Sequence, residues 1–179
     1  MPLILSYGIA FVVVVLDQIT KVAVERSIAL YEQIVITGFF NLTKAYNEGA
    51  AFSFLADSGG WQRWFFTTVS AVVSVVLIVW LARMHRSERW LALSISLILG
   101  GAIGNLIDRV LYGHVIDFLQ VHWNGEAYFP SFNVADSAIT GGTILLLILT
   151  FFDKPDPAEP TGRIDQFDKT DKTDKEPVS

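Results

Sequence analysis

Residues 64 to 107 read WFFTTVSAVVSVVLIVWLA, then RMHRSER, then WLALSISLILGGAIGNLI: two uncharged apolar runs on either side of a loop holding Arg83, Arg86 and Arg89. Each run approaches the ~20 helical residues that cross a hydrocarbon core. Two further stretches reach that length only by taking in acidic residues. The first must run from Leu3 past Asp17 towards Val24, and the last, Ser137 to Phe152, must begin near Asn133 and include Asp136. The expected fold is an all-α membrane protein with four transmembrane helices, spans about 3–24, 62–83, 90–111 and 134–152, in a single domain covering residues 1–152.

Composition agrees. The chain has 179 residues, of which 52% are hydrophobic and only 17% charged, too apolar for an ordinary soluble domain. A net charge of −5, with Lys and Arg scattered, gives nucleic acid no basic surface to bind. Cysteine is absent, so disulfides, thiolate nucleophiles and Cys-ligated zinc are excluded. The apolar run from Leu3 to Leu16 is followed by Asp17-Gln18-Ile19-Thr20-Lys21 instead of a small-residue processing site, so it reads as a retained anchor.

The arginine-rich loop between the middle spans should lie in the cytoplasm, by the positive-inside rule. Four spans then place both termini on that side. The segment from Tyr112 to Phe132, which contains no Lys or Arg, falls on the other. Between the first two spans, residues 25–60 include β-prone pieces, Ile34-Val35-Ile36 and Phe39-Phe40-Asn41-Leu42 around Gly38, with Ala50 to Leu55 as a third apolar piece. They predict a small extracytoplasmic β-sheet resting on the outer leaflet. Residues 153–179 carry Pro155, Pro157, Pro160 and Pro177 and too few apolar residues to fold, so a disordered cytoplasmic tail is expected.

An aspartate at the centre of a membrane helix costs roughly 2.5 to 3.5 kcal/mol, so each acid near a span calls for a reason. Under this topology Asp17, Asp108, Asp117 and Asp136 all fall near the outer ends of spans. Asp17 and Lys21 have the i, i+4 spacing of a helical ion pair, which reads as structural support. Gly100, Gly101, Ala102 and Gly104 would let a neighbouring helix approach closely. Asp108 and Arg109 read either as a cap and counter-ion or, for Arg109, as a fork of donors for a carbonyl or lipid group. Asp117 sits between bulky apolar residues, where burial penalises the charged form. Asp136 follows Asn133, a good N-cap, at the third helical position, where the helix N-terminus favours a carboxylate. Two acids in contrasting environments suit a division of acid and base work. No Gly-x-Ser-x-Gly or His-Glu-x-x-His motif occurs, and the spacing of His114, Asp117, His122 and Glu126 matches no strong metal pattern.

Five pieces in order resemble the lipoprotein signal peptidases, the signal peptidase II family of bacterial inner membranes. They are Asp17 to Lys21, Asn47-Glu48-Gly49-Ala50-Ala51-Phe52-Ser53, Gly100 to Arg109, Gly113 to Phe118, and Phe132-Asn133-Val134-Ala135-Asp136. The resemblance implies an aspartyl endopeptidase that removes signal peptides from diacylglyceryl-modified prolipoproteins just before the lipidated cysteine. It places Asp117 and Asp136 as the catalytic pair, Asn47, Gly49, Asn105, Arg109 and Asn133 around the substrate, and Asp17 and Lys21 as a supporting pair, with Asp108, read as a cap and counter-ion, also structural. No metal or cofactor is implied, and the expected partners are prolipoproteins and membrane lipids, with the protein a monomer. The tail after Phe152 is longer than the family's core needs, and the extreme N-terminus lacks a basic residue. The competing reading is a small proton-coupled carrier, since membrane acids also mark ion paths, and a third is a scaffold in which the acids only pair and cap. Transport would place essential acids at several depths, whereas these gather near one face.

Overall fold

A computed structural model describes residues 1–49 and 61–152. The chain runs α1 (Leu3–Ser27), β1 (Gln33–Thr37), β2 (Phe40–Asn47), α2 (Trp61–Arg83), α3 (Arg89–Leu111), β3 (Val115–Trp123), β4 (Ala127–Tyr128) and α4 (Val134–Phe152). All four helices are long and apolar enough to cross a membrane. The piece Ala50 to Leu55 and the tail from Asp153 onward lie outside the described residues.

The third helix is the hub, packed against the other three and the most buried of the four. Its glycines explain why. A Cβ at Gly100 would lie 2.8 Å from Ala10 O on α1, and one at Gly101 would collide with Ala135 O on α4. Small residues at these positions therefore set both interhelical separations. At one end of the bundle Ala10, Leu77, Leu81, Ala92, Ile95 and Leu99 form an apolar core. The N-terminal amine reaches Arg86 O there, so the start of α1 and the arginine loop share that end.

The opposite end carries the sheet, antiparallel in the order β1-β2-β3-β4. It is larger than the sequence suggested, because half of its strands come from the segment after α3. The reason is physical: a lone β1–β2 hairpin is marginal, and β3 supplies the third strand that covers β2. In sequence, Val115 to Trp123 is interrupted by Asp117, which drew attention as an isolated acid and obscured the strand. Leu42 pairs with Leu119 and Ala45 with Asp117, so Thr43 and Lys44 face the single residue Phe118 across a bulge. Phe132 then returns to pair with Leu119, and its carbonyl accepts from Phe118 N at 3.0 Å. That pairing pins the entry of α4 against β3.

Candidate active site

The polar residues singled out in the sequence converge where α1, α3, α4 and the sheet meet. Asn133 immediately precedes α4 and caps it: Asp136 N donates to Asn133 Oδ1 at 2.9 Å, and Asn133 N donates back to Asp136 Oδ2 at 3.3 Å. This reciprocal cap holds the Asp136 carboxylate over the helix N-terminus. The Asn133 side chain meanwhile donates to Asp117 Oδ1 at 2.7 Å. One residue therefore touches both acids, which arrive from different elements, Asp117 on β3 and Asp136 on α4.

Three asparagine amides surround the pair, and each is oriented by a group that can only donate. Asn133 Oδ1 is occupied by a backbone N–H, so its nitrogen must face Asp117. Asn47 Oδ1 accepts from Gly49 N at 3.0 Å, so its nitrogen faces Asp117 Oδ2, also at 3.0 Å. Asn105 Oδ1 accepts from the Lys21 ammonium at 3.0 Å, which turns its nitrogen to Asp136 Oδ1 at 2.7 Å. All four carboxylate oxygens thus receive an N–H. Asp117 is nonetheless pushed up from its ordinary 3.8 to about 7, first by burial and then by the charge of Asp136, while the bonds from Asn47 and Asn133 pull the other way. It suits a carboxyl that carries a proton near neutrality.

Behind Asn105 lies a buried charged cluster. Lys21 contacts Asp17 at 2.7 Å, the i, i+4 partner on its own helix, and Asp108 on α3 at 2.8 Å, with none of the three side chains more than 1% exposed. Asp17 Oδ1 also accepts from Ala135 N at 2.9 Å, and Asp108 Oδ2 from Ile116 N at 3.3 Å. The cluster therefore ties α1 to α3, to the start of α4 and to β3. Gly104 makes room for it, since a Cβ there would sit 2.6 Å from Asp17 Oδ2. Sequence reasoning missed Gln18, whose Nε2 spans Asp17, Gly104 O and Asp108 at 3.2, 3.2 and 2.9 Å. Its only signal was its place between two residues already of interest.

Arg109 stands apart from the cluster. Its Nη1 makes only long contacts, 3.4 Å to Ser70 Oγ and 3.5 Å to Asn105 O, while its guanidinium lies 5.8 Å from the Phe66 ring centre. Its Nε is buried with no hydrogen-bond partner among the described residues. The guanidinium is thus held beside the acids with donor capacity to spare. Gly49 closes this side with φ of +116°, and a Cβ there would collide with the Phe66 ring, so only glycine fits. The histidines lie elsewhere: His122 Nε2 pairs with Asn41 Oδ1 at 3.2 Å, and His114 stacks on Tyr46 with ring centres 4.0 Å apart. Among the described residues no three metal-binding side chains gather together.

This arrangement can be compared with known proteins. The family described as Signal peptidase (SPase) II matches residues 9–152. The chain belongs to the signal peptidase II family. It is a peptidase family, and this member is a multi-pass membrane protein. Among signal peptidase II relatives, the lipoprotein signal peptidase of Pseudomonas putida is 54% identical over 147 residues, covering 82% of this chain and 86% of that protein. The lipoprotein signal peptidase of Pseudomonas syringae pv. tomato is 57% identical over 143 residues, covering 79% and 83%. A solved structure described as a bacterial membrane enzyme, determined by the in meso method at 1.9 Å resolution, superposes with a TM-score of 0.72 at 35% identity, covering 83% of this chain and 94% of that one.

Proposed function

We propose that this signal peptidase II family member removes the signal peptides of diacylglyceryl-modified bacterial prolipoproteins, cleaving before the lipidated cysteine, and that Asp117 and Asp136 perform the hydrolysis. The observation that carries the reading is the carboxyl pair joined through Asn133, with every carboxylate oxygen facing a fixed N–H donor. The substrate class rests on the named relatives.

In this mechanism Asp136, held at the start of α4 by its reciprocal bonds with Asn133, removes a proton from water. The water oxygen bonds to the scissile carbonyl carbon while the Asp117 proton passes to the carbonyl oxygen, giving a neutral diol. The C–N bond then breaks, the departing nitrogen takes the proton from Asp136, and a diol hydroxyl returns its proton to Asp117. Atoms and charge balance without metal or covalent intermediate. Asn105, Asn133 and Asn47 fix the carboxylates, and the underused Arg109 guanidinium is available to a substrate carbonyl or lipid ester. The cluster of Asp17, Lys21 and Asp108 acts as structural support.

The bacterial inner membrane is the compartment this function requires, with both termini and the arginine loop in the cytoplasm and the dyad at the opposite face. The exposed Val35, Ile36 and Phe39 on the β1–β2 hairpin suit contact with that leaflet. In intact cells, an impermeant thiol reagent should label a single cysteine placed at Glu126 but not one at Glu88. The reverse pattern would overturn the topology.

The decisive test is chemical. Asp117→Asn and Asp136→Asn should each abolish cleavage of a lipidated precursor by purified protein while leaving the fold intact. Because the acids act as one unit, the double variant should be scarcely slower than either single one. Substantial turnover by either variant would remove that residue from the pair.

A further inference from the structure

A cavity of about 270 Å³ lies at the sheet end of the bundle between α1, α3 and the sheet. Ala45 pairs with Asp117, Tyr46 with Ile116 and Asn47 with Val115, so strand alternation turns Tyr46, His114 and Ile116 to the sheet face opposite Asn47 and Asp117. The cavity opens on that opposite face. Lys21 and Asp108 form its buried floor, and Glu25, Arg26, Tyr46 and His114 line its walls and mouth.

Its polar groups form a complementary set. Glu25 accepts from the Tyr46 hydroxyl at 2.8 Å and stands 3.8 Å from Lys44 through the same oxygen, Oε1, which leaves its second oxygen open. Arg26 has no ionic or hydrogen-bond partner among the described residues, and His114 makes only ring contacts, with Tyr46 and Tyr112. An unused acceptor therefore stands beside unused donors, a pattern that matches a zwitterion and not a simple anion. Below the mouth, Leu16, Ile19 and Val22 are 52%, 61% and 40% exposed and recur every third residue along α1. Such a stripe gives an acyl chain a track down the membrane-spanning helix.

We propose that this cavity binds the headgroup of a glycerophospholipid bearing both a phosphate and a primary amine, with the phosphate at Arg26 and His114 and the ammonium at Glu25. The acyl chain lies along Leu16, Ile19 and Val22. Free phosphoethanolamine offers the same headgroup chemistry, but it would leave the stripe unused. The floor includes Lys21, whose ammonium orients Asn105, so the bound lipid rests against one of the dyad's supports.

The test uses the full chain, purified and stripped of lipid in detergent. Calorimetric titration with dihexanoyl phosphatidylethanolamine should give a Kd at least tenfold below those for the matching phosphatidylglycerol, the matching phosphatidylcholine and free phosphoethanolamine. Glu25→Gln and Arg26→Gln should each weaken it tenfold or more, without changing the lipid-free Tm. Equal binding of the glycerol or choline lipid would remove the ammonium contact and overturn the proposal. Equal binding of free phosphoethanolamine would make the ligand a soluble one. On the unaltered protein, a phosphatidylethanolamine with a photoreactive headgroup should crosslink to residues 22–26 or 112–116, and crosslinks confined to other segments would also overturn it.

Discussion

Replacing Lys21 by Met should be the most damaging single change outside the acid pair, and its size follows from charge. Asp17, Lys21 and Asp108 together carry a net buried charge of −1 when all are ionised. Methionine fills a similar volume but leaves two carboxylates facing each other with no cation, and breaking a buried ion pair from one side costs about 3–5 kcal/mol. Asp108→Asn instead brings the cluster to neutrality. Its oxygen can keep the bonds from Lys21 and Ile116 N, while Gln18 Nε2, held in place by Asp17 and Gly104 O, loses its third acceptor, at a cost of about 2 kcal/mol. Thermal unfolding in detergent should therefore show Lys21→Met melting roughly 10 °C below wild type and Asp108→Asn only a few degrees below, by the usual scaling for chains of this size. If the two variants lose equal stability, or if Lys21→Met lies within about 1 kcal/mol of wild type, the ammonium is not the keystone of the cluster.

Other outcomes concern the acids and Arg109. With Asp117 protonated up to about 7, cleavage should decline as pH rises through that value, and a flat profile from pH 6 to 9 would contradict its role as acid. The folded state keeps this proton up to about 7 whereas the unfolded chain releases it near 3.8, so Asp117 makes stability fall with rising pH across that window, by up to roughly 4 kcal/mol. Comparing the pH dependence of wild-type and Asp117→Asn melting isolates that contribution. Arg109→Lys keeps the charge but loses the planar fork, so kcat/KM should drop at least tenfold, about 1.4 kcal/mol at the barrier. Near-normal kinetics would mean that only charge matters there.

The four spans were legible because their signal is local: long apolar runs with few charges. The Asp17–Lys21 contact was legible for the same reason, being a matter of helical spacing. Its second acid was not, because Asp108 lies on another helix and reaches Lys21 only after Gly104 has let α1 close in. Strand β3 was hidden by Asp117, whose apolar neighbours read as a pocket for an acid and not as a strand's alternate face. The resemblance pointed to Asn47, Asn105 and Asn133 as substrate contacts, yet their amides are engaged with the carboxylates. Which way an amide points depends on donors as remote as Lys21 and the Gly49 backbone, and no spacing rule encodes that.

The apolar core of Leu77, Leu81, Ala92, Ile95 and Leu99 has a bearing on the cell's energy supply. A hydrolase inside a bilayer must admit water to its acids, and water beside protonatable side chains is what a proton leak is made of. Here every buried ionisable side chain among the described residues lies at the sheet end, and behind it the bundle closes on apolar side chains and on the buried hydroxyls of Ser6, Ser74, Ser94 and Ser96, each donating to a backbone carbonyl. If the acid pair hydrolyses peptides as proposed, water need reach only the sheet end, and an electrochemical gradient across the membrane is kept.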